Sequence, residues 1–400
     1  MSKPIFTPFN KEDLLPQEEV LEVALRNGKF SIGLPRETHH QENRICLTPD
    51  AVEVLVRHGH QITVESCAGK GVHYTDNQYS EAGAKITYDT KEVFQQHIVL
   101  KVLPPTIKEI DFLKPETILI SSVLPNTLEK DYFEHLAKKK ITALGMEYYE
   151  DAHGNLAIKR LEAEISGTSS LLIASELLST SNGGNGILLG GVTGVRPAEV
   201  VILGAGTVGE YAAKAGLGLG ASVRVFDGSL ARLRTLQDHL NFRVSTSTLD
   251  PKEITKALMR CDVAIGAIWG DCRALSIVTE DMVKKMKPGA VIIDVCIDSG
   301  GCFETSEVTT HENPVVVKHE VIHYGVANIP SRFARTASKA LSNFFLSYLI
   351  QVAKEGGFEN LIHYDKGLRK GIYLFKGRHT NKELADWFDL NFTDLNLLML

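Results

Sequence analysis

The chain has 400 residues, a length that suggests two or three domains rather than one. Hydrophobic residues make up 44% and charged residues 23%, close to the average for soluble globular proteins, which excludes collagen-like, coiled-coil and disordered chains. The formal charge of -6 at pH 7 gives no broad cationic surface for nucleic acid or an anionic membrane, so we expect neither as a partner.

Residues 1–29 are polar and acidic, and they lack the apolar stretch of a secretory signal. The uncharged run at residues 341–353 is too short to span a bilayer. We therefore expect a cytoplasmic protein without a membrane span. The six cysteines include no C-x-x-C pair, so the sequence predicts reduced, mostly buried thiols and no metal site.

The first part of the chain alternates short apolar strands with helical or polar stretches. A helix is predicted at residues 49–58, and strands are predicted at residues 29–35, 61–65, 98–103, 117–121 and 141–145. This alternation is typical of a mainly parallel sheet that is covered by helices.

A second alternating set follows a long helix that is predicted from Leu161. Its strands are predicted at residues 199–203, 222–226, 263–268 and 290–295, with residues 315–317 as the candidate sixth strand. A helix at residues 334–355 and a mixed tail complete the chain. The sequence therefore predicts an α/β protein with two Rossmann-like domains. One consists of residues 1–158 and 335–400, and the other, residues 159–334, is inserted into it.

The strand at residues 199–203 runs directly into a G-x-G-x-x-G motif formed by Gly204, Gly206 and Gly209. In this motif the first glycine permits a tight turn, the second lets the backbone approach a pyrophosphate, and the third allows close packing of helix on strand. A helix predicted at residues 210–220 would present the N–H groups of its first turn to the phosphates.

Asp227 ends the next predicted strand, where a carboxylate can bind the ribose hydroxyls. Such a carboxylate repels a 2′-phosphate, so the predicted cofactor is NAD rather than NADP. A glycine-rich turn beside a solvated aspartate is the alternative interpretation. The predicted cofactor-binding residues are Gly204, Gly206, Thr207, Val208, Gly209, Asp227, Arg232 and Asn328.

Several segments resemble the alanine dehydrogenase and transhydrogenase α-subunit family, in the order in which the family has them. They are GLPRETHHQENRICLTP at residues 33–49, AGKGVHYTD at 68–76, GGVTGVRP at 190–197, MKPG at 286–289, IDSGGCFE at 297–304 and VANIP at 326–330. The resemblance implies a two-domain subunit, commonly hexameric, with its active site in the interdomain cleft. It also implies NAD-dependent oxidative deamination of L-alanine to pyruvate and ammonia.

The resemblance assigns roles to three polar residues. Arg44 matches the family's substrate arginine, and a planar guanidinium suits a carboxylate; a surface salt bridge with Glu37 or Glu42 is the alternative. Asp298 matches the catalytic aspartate and follows a predicted strand, at the edge where open α/β sheets bind ligands; a turn or cap aspartate is the alternative. Glu147 matches a family carboxylate near the substrate.

Three departures from the family concern the substrate site. The family's substrate lysine falls on Leu103 and its catalytic histidine at about Leu124, so hydrophobic side chains replace polar ones. Lys101, on the same face of the strand as Leu103, is the residue that we assign to substrate binding instead. The loop at residues 269–273, with a tryptophan, an aspartate and an arginine, stands where relatives have a small loop beside the nicotinamide.

These features favour an NAD-dependent alanine dehydrogenase. One alternative is a related oxidoreductase that acts on another amino or 2-oxo acid. Another is an NAD-binding homologue without catalysis, like the transhydrogenase subunit. The expected partners are a small-molecule substrate and further copies of the same chain.

Overall fold

The computed structural model describes residues 29–39, 41–151, 153–268 and 276–399. The predicted N-terminal extension up to residue 28 and the loop at residues 269–273 lie outside the described residues. The chain forms two compact units. The split unit contains the residues up to Ile158 together with those from Ala334 onwards, and the central unit is Lys159–Phe333.

The described strands are β1 (Ser31–Leu34), β2 (Gln61–Glu65), β3 (Lys85–Thr87), β4 (Ile98–Leu100), β5 (Ile118–Ser121), β6 (Thr142–Gly145), β7 (Glu199–Leu203), β8 (Ser222–Phe226), β9 (Ser245–Ser247), β10 (Val263–Gly266), β11 (Val291–Asp294), β12 (Val315–Lys318), β13 (Val321–Tyr324), β14 (Ile372–Phe375) and β15 (Arg378–His379).

The described helices are α1 (Pro49–Arg57), α2 (Asp76–Glu81), α3 (Thr90–Phe94), α4 (Ile107–Phe112), α5 (Lys130–Lys138), α6 (Ala157–Leu177), α7 (Thr207–Gly218), α8 (Leu230–His239), α9 (Pro251–Leu258), α10 (Glu280–Val283), α11 (Ile329–Arg332), α12 (Ala334–Lys354), α13 (Phe358–Tyr364), α14 (Lys366–Gly371), α15 (Lys382–Trp387) and α16 (Leu395–Leu398). Among these helices, none is both long and apolar enough to cross a membrane.

The sheet of the split unit has the strand order β15-β14-β6-β5-β4-β1-β2-β3. Strands β1 to β6 pair in parallel, whereas β14 and β15 extend the β6 edge by antiparallel pairing. Strand β1 lies between β2 and β4, so the order of strands reverses at that point. Ligands of open α/β sheets bind beside the carboxyl ends of the strands at such a reversal.

The sheet of the central unit has the order β12-β13-β11-β10-β7-β8-β9. All neighbouring strands are parallel except β12 and β13. Residues 315–317 lie in a strand of this sheet, β12, as predicted, but β12 is an antiparallel edge strand, and β13 takes the place of the sixth parallel strand. The reversal of strand order lies between β7 and β10.

Both sheets have an apolar core on each face. In β7, Val200 and Ile202 belong to one core while Val201 and Leu203 belong to the other. In β4, Val99 likewise lies in a different core from its neighbours. Burial on both faces explains why these strands read as continuous apolar runs. The predicted α/β class, with two mainly parallel sheets and helices, is confirmed.

Candidate functional site

The glycine turn lies between β7 and α7 in the central unit. Gly204 has φ +115°, and a Cβ there would lie 2.3 Å from the carbonyl oxygen of Ala267, so only glycine fits. A Cβ on Gly209 would lie 1.9 Å from the Gly204 oxygen, which explains the close approach of helix to strand. A Cβ on Gly206 would meet no atom within 4 Å. The turn is therefore tightly packed at its two ends and open at its middle glycine.

The open space at Gly206 faces the start of a regular helix. Helix α7 begins at Thr207, not at residue 210 as predicted, so Thr207 and Val208 form its first turn and both are partly exposed. Gly206 has no side chain with which to cap the helix. The first N–H groups of a helix attract anions. The arrangement thus fits a pyrophosphate at the second glycine.

Asp227 follows the carboxyl end of β8 and holds the glycine turn in place. Its buried carboxylate accepts hydrogen bonds from the backbone N–H of Ala205 (2.8 Å) and of Ser229 (2.7 Å). A carboxylate has about four acceptor positions, so capacity for ribose hydroxyls is left. The alternative interpretation, a glycine-rich turn beside a solvated aspartate, is wrong because Asp227 is buried.

The other two predicted cofactor-binding residues lie on later segments of the same unit. Arg232 is exposed in the first turn of α8, where its backbone N–H donates to the Ser229 hydroxyl (3.3 Å). Asn328 is half-buried immediately before α11, and its carbonyl oxygen accepts from the ring of His311 (2.9 Å). Their contact with a cofactor stays a prediction.

Asp298 lies on a short turn, Ile297–Ser299, that follows β11. The Ser299 hydroxyl donates to its carboxylate at 3.4 Å. Part of the side chain reaches solvent, yet loss of hydration raises the pKa of Asp298, against the lowering effects of Ser299 and the ammonium of Lys159. A carboxyl group in this state can hold or release a proton nearer to neutral pH than an ordinary aspartate.

Asp294, which ends β11, has a structural role instead. It is fully buried and accepts hydrogen bonds from the backbone N–H groups of Cys302 (3.0 Å) and Phe303 (3.3 Å). These bonds fix the segment that returns after the Asp298 turn.

A pair of buried charges lies at the reversal point of the split unit's sheet. Lys101 follows the carboxyl end of β4 and is 2% exposed; its Nζ lies 2.6 Å from Oε2 of Glu37, which follows β1. The other oxygen of Glu37 accepts from the backbone N–H of Val102 (2.7 Å). Glu37 therefore joins the ends of the two strands between which a ligand is expected.

Arg44 forms a second buried pair. Its Nε and Nη2 donate to the two oxygens of Glu42 at 2.8 and 2.7 Å, and its backbone N–H donates to Oε1 at 2.9 Å. The Arg44 side chain is 5% exposed and that of Glu42 is 0% exposed. The alternative expectation, a surface salt bridge with Glu37 or Glu42, is therefore right about Glu42 as the partner. It is wrong about the surface, because the bridge is buried and bidentate.

The buried thiol of Cys46 lies within electrostatic range of both pairs. Burial raises its pKa most strongly, with Glu37 and Glu42 acting in the same direction and Arg44 and Lys101 in the opposite one. All four charges thus act on one buried sulfur and form a single group, which we call the charged cluster: Glu37, Glu42, Arg44 and Lys101. The burial of Glu37 also raises its own pKa.

The loops that follow β4 and β5, next to the charged cluster, carry apolar side chains. Leu103 is half-buried, and Leu124 is 40% exposed in a left-handed conformation (φ +49°) that is unusual for leucine. Glu147, which follows β6, accepts from the backbone N–H of Val123 (2.7 Å) and so holds the loop that presents Leu124. His97, by contrast, lies before β4, at the opposite end of the strands.

The sequence predicts no role for Glu37 and Glu42 other than as partners of Arg44 in a surface salt bridge. The signal that could have revealed them is the position of Glu37 three residues after β1, beside the reversal of strand order. The described cysteines agree with the predicted burial except Cys67, which is exposed.

The chain is similar to known proteins over most of its length. Residues 33–165 match the family model of the alanine dehydrogenase/PNT N-terminal domain, and residues 170–382 match that of the C-terminal domain. The alanine dehydrogenase of Staphylococcus epidermidis is 39% identical over 369 residues, which cover 92% of this chain and 99% of that protein. The alanine dehydrogenase of Methanococcus maripaludis is 40% identical over 365 residues, which cover 90% and 97%.

Two solved structures share the fold. An L-alanine dehydrogenase matches with a TM-score of 0.84 and 35% identity, over 90% of this chain and 99% of that chain. The transhydrogenase from Sinorhizobium meliloti matches with a TM-score of 0.74 and 20% identity, over 88% and 99%.

Proposed function

The chain belongs to the alanine dehydrogenase/PNT family, and we propose that it catalyses the reversible, NAD-dependent oxidative deamination of L-alanine. In this reaction alanine, water and NAD⁺ give pyruvate, ammonium, NADH and a proton. The observation that carries the proposal is the similarity to proteins named alanine dehydrogenase, which extends over 92% of this chain. We further propose that the central unit binds the nucleotide, that the split unit binds the substrate, and that the chain assembles with further copies of itself.

The central unit supports the cofactor part of the proposal. The space beside Gly206 accepts a pyrophosphate, and the first N–H groups of α7 bind its oxygens. Asp227 binds the ribose hydroxyls while it keeps its two bonds to the backbone. When it is bound there, NAD supplies the hydride acceptor.

The charged cluster supports the substrate part. Arg44 offers a guanidinium for the carboxylate of alanine, and Lys101 offers an ammonium for the same group or for the carbonyl of pyruvate. Both cations are compensated by carboxylates, so a substrate that brings its own positive ammonium group leaves no buried charge unbalanced. This arrangement supports an amino acid as the substrate.

Asp298 supports the proton-transfer part. Its carboxylate, with a raised pKa, takes a proton from the water that attacks the substrate carbon and gives a proton to the nitrogen that leaves; in the reverse reaction both transfers run backwards. Ser299 orients the carboxylate through its hydroxyl.

The test is NADH formation by the purified protein from L-alanine and NAD at alkaline pH. Asp298→Asn should lower kcat by about 100-fold or more, as is typical for the loss of a general acid–base group. Asp281→Asn changes an exposed aspartate of the same unit and is the matched control. No NADH from alanine, with NAD still bound, would refute the proposed reaction.

A second candidate is oxidation of an amino acid with a larger apolar side chain. The exposed side chain of Leu124 and the half-buried Leu103, at the ends of neighbouring strands, favour it because they could line an apolar substrate pocket. The same assay with valine, leucine and methionine decides between the two. Activity confined to these larger amino acids would replace alanine as the proposed substrate.

A further inference from the structure

Two buried cysteines meet beyond the carboxyl end of β11. The Sγ atoms of Cys296 and Cys302 lie 2.8 Å apart. A disulfide bond is about 2.0 Å long, so the two atoms are within about 0.8 Å of bonding distance. Cys302 is fully buried and Cys296 is 7% exposed, so Cys296 is the more exposed residue of the two.

The backbone, rather than a chance choice of side-chain rotamers, brings the two thiols together. Gly300 (φ +110°) and Gly301 (φ +76°) reverse the chain after the turn that carries Asp298. A Cβ on Gly301 would lie 2.7 Å from Oδ2 of Asp294, so the reversal needs glycine there. Asp294 then holds the backbone N–H of Cys302.

The same three side chains, Asp294, Cys296 and Cys302, could in principle hold a metal ion, since their ligand atoms lie within 4.8 Å of one another. Two thiolates on a tetrahedral zinc, each about 2.3 Å from the metal, are about 3.8 Å apart. The observed sulfurs are closer than that. The carboxylate of Asp294 is also already bonded to two backbone N–H groups and the Cys296 thiol. The geometry therefore favours a bond between the sulfurs over a shared metal.

We propose that Cys296 and Cys302 form a reversible disulfide that closes the loop bearing Asp298. The disulfide is a modification site beyond the proposed dehydrogenase reaction, and it does not depend on that reaction. Because Asp298 lies between the two cysteines, the bond restricts the motion of its turn.

The oxidant is a hydroperoxide, of which hydrogen peroxide is the simplest. The Cys296 sulfur, after loss of its proton, attacks one peroxide oxygen; the S–O bond forms, the O–O bond breaks, and the leaving oxygen departs as water after protonation. The Cys302 sulfur then displaces the sulfenic hydroxyl, which leaves as a second water once the Cys302 proton has been transferred. Two thiols are oxidised and one peroxide is reduced to two waters. A small thiol reverses the bond by exchange.

The hydrogen-bonded contact with Cys302 raises the pKa of the Cys296 thiol, and burial raises it further. The thiolate that reacts is therefore scarce at neutral pH. We expect the bond to form slowly at neutral pH and faster as the pH rises.

The test uses the full-length protein, treated with hydrogen peroxide, then denatured, alkylated and digested with trypsin. Because Lys287 precedes a proline, one tryptic peptide, residues 286–318, contains both cysteines and no other. The expected result is a peptide without alkyl label, about 2 Da lighter than the dithiol peptide because two hydrogens are lost. Treatment with dithiothreitol before alkylation should restore both labels.

Cys296→Ala should abolish the unlabelled peptide, whereas Cys261→Ala should leave it unchanged. Cys261 is the matched control, because it is a buried cysteine of the same unit whose thiol donates to the Leu258 carbonyl. Two labels on peptide 286–318, at a peroxide dose that oxidises the exposed Cys67, would overturn the proposal. So would a sulfinic acid without the bond, or stoichiometric zinc that co-purifies and protects both thiols. The wild-type peptide alone decides the question if Cys296→Ala fails to fold.

Discussion

Replacing Gly206 by alanine separates nucleotide binding from folding in the glycine turn. An added Cβ meets no atom within 4 Å, and the backbone angles of Gly206 (φ −78°, ψ −170°) suit alanine. We therefore expect the free energy of unfolding to change by at most about 1 kcal/mol, mainly because alanine is the poorer residue before a helix. The methyl group occupies the space proposed for the pyrophosphate. NAD affinity should therefore fall 10- to 100-fold, which corresponds to about 1.4–2.8 kcal/mol.

Two glycines of helix α7, Gly209 and Gly218, provide matched variants. Gly209→Ala places a Cβ 1.9 Å from the Gly204 oxygen, so we expect it to lower the free energy of unfolding by about 1–3 kcal/mol as well as to weaken NAD binding. Gly218→Ala, at the other end of α7, meets no atom within 4 Å. It should stabilise the helix by about 0.5–1 kcal/mol and leave NAD binding unchanged.

The measurements are NAD titration by calorimetry and urea unfolding of each variant. If Gly206→Ala binds NAD as tightly as the wild type, the pyrophosphate does not approach this glycine, and the reasoning is refuted. If the variant loses affinity and stability together, as Gly209→Ala should, then Gly206 acts through the fold rather than through the open space.

Two further predictions concern buried polar groups. The His323 ring is buried, bonds a backbone carbonyl and the Thr305 hydroxyl, and has its pKa lowered to about 4 by burial. An unfolded histidine titrates near pH 6.5, so below that pH the unfolded chain binds a proton that the folded chain does not. The free energy of unfolding should therefore fall by about 3 kcal/mol as the pH is lowered from about 6.5 to 4. Urea unfolding at several pH values measures this fall, and a slope that persists in His323→Gln would contradict the assignment. Arg44→Lys keeps the charge but loses the bidentate contact, so we expect a loss of about 1–2 kcal/mol in urea unfolding and a higher KM for alanine. Arg57→Lys, which changes an exposed ion pair, is the control. An equal loss of unfolding free energy in this variant would show that burial of the Arg44 pair does not account for the effect.

The strands that sequence reasoning located well are the buried, apolar ones. Residues 61–65 and 199–203 match β2 and β7 in both bounds, because their apolar runs stop sharply at polar or glycine residues. Strand β9, with the sequence Ser-Thr-Ser, was missed because it is a polar edge strand whose pairing with β8 is decided by tertiary contacts. Strand β14 was missed in the tail because it pairs with β6, more than 200 residues earlier.

The candidate site likewise has a part that the sequence predicts and a part that it does not. The glycine turn and Asp227 are local in sequence, and the strand–turn–helix pattern predicts their geometry. The ion pair of Glu37 with Lys101 joins residues 64 positions apart, so it follows from the strand order and no local pattern indicates it. The Cys296–Cys302 contact depends on two consecutive left-handed glycines, which C-x-x-C spacing rules do not detect.

The balance of charge in the charged cluster limits what it can bind. Its two carboxylates and two cations sum to zero, and the four side chains are between 0% and 7% exposed. An anionic 2-oxo acid would add one uncompensated buried charge, which costs several kcal/mol, whereas a zwitterionic amino acid adds one charge of each sign. Glu37 offers a way to bind the anion, because burial raises its pKa and proton uptake by its carboxyl group would restore neutrality. The protein would then hold one more proton at the start of amination than at the start of deamination.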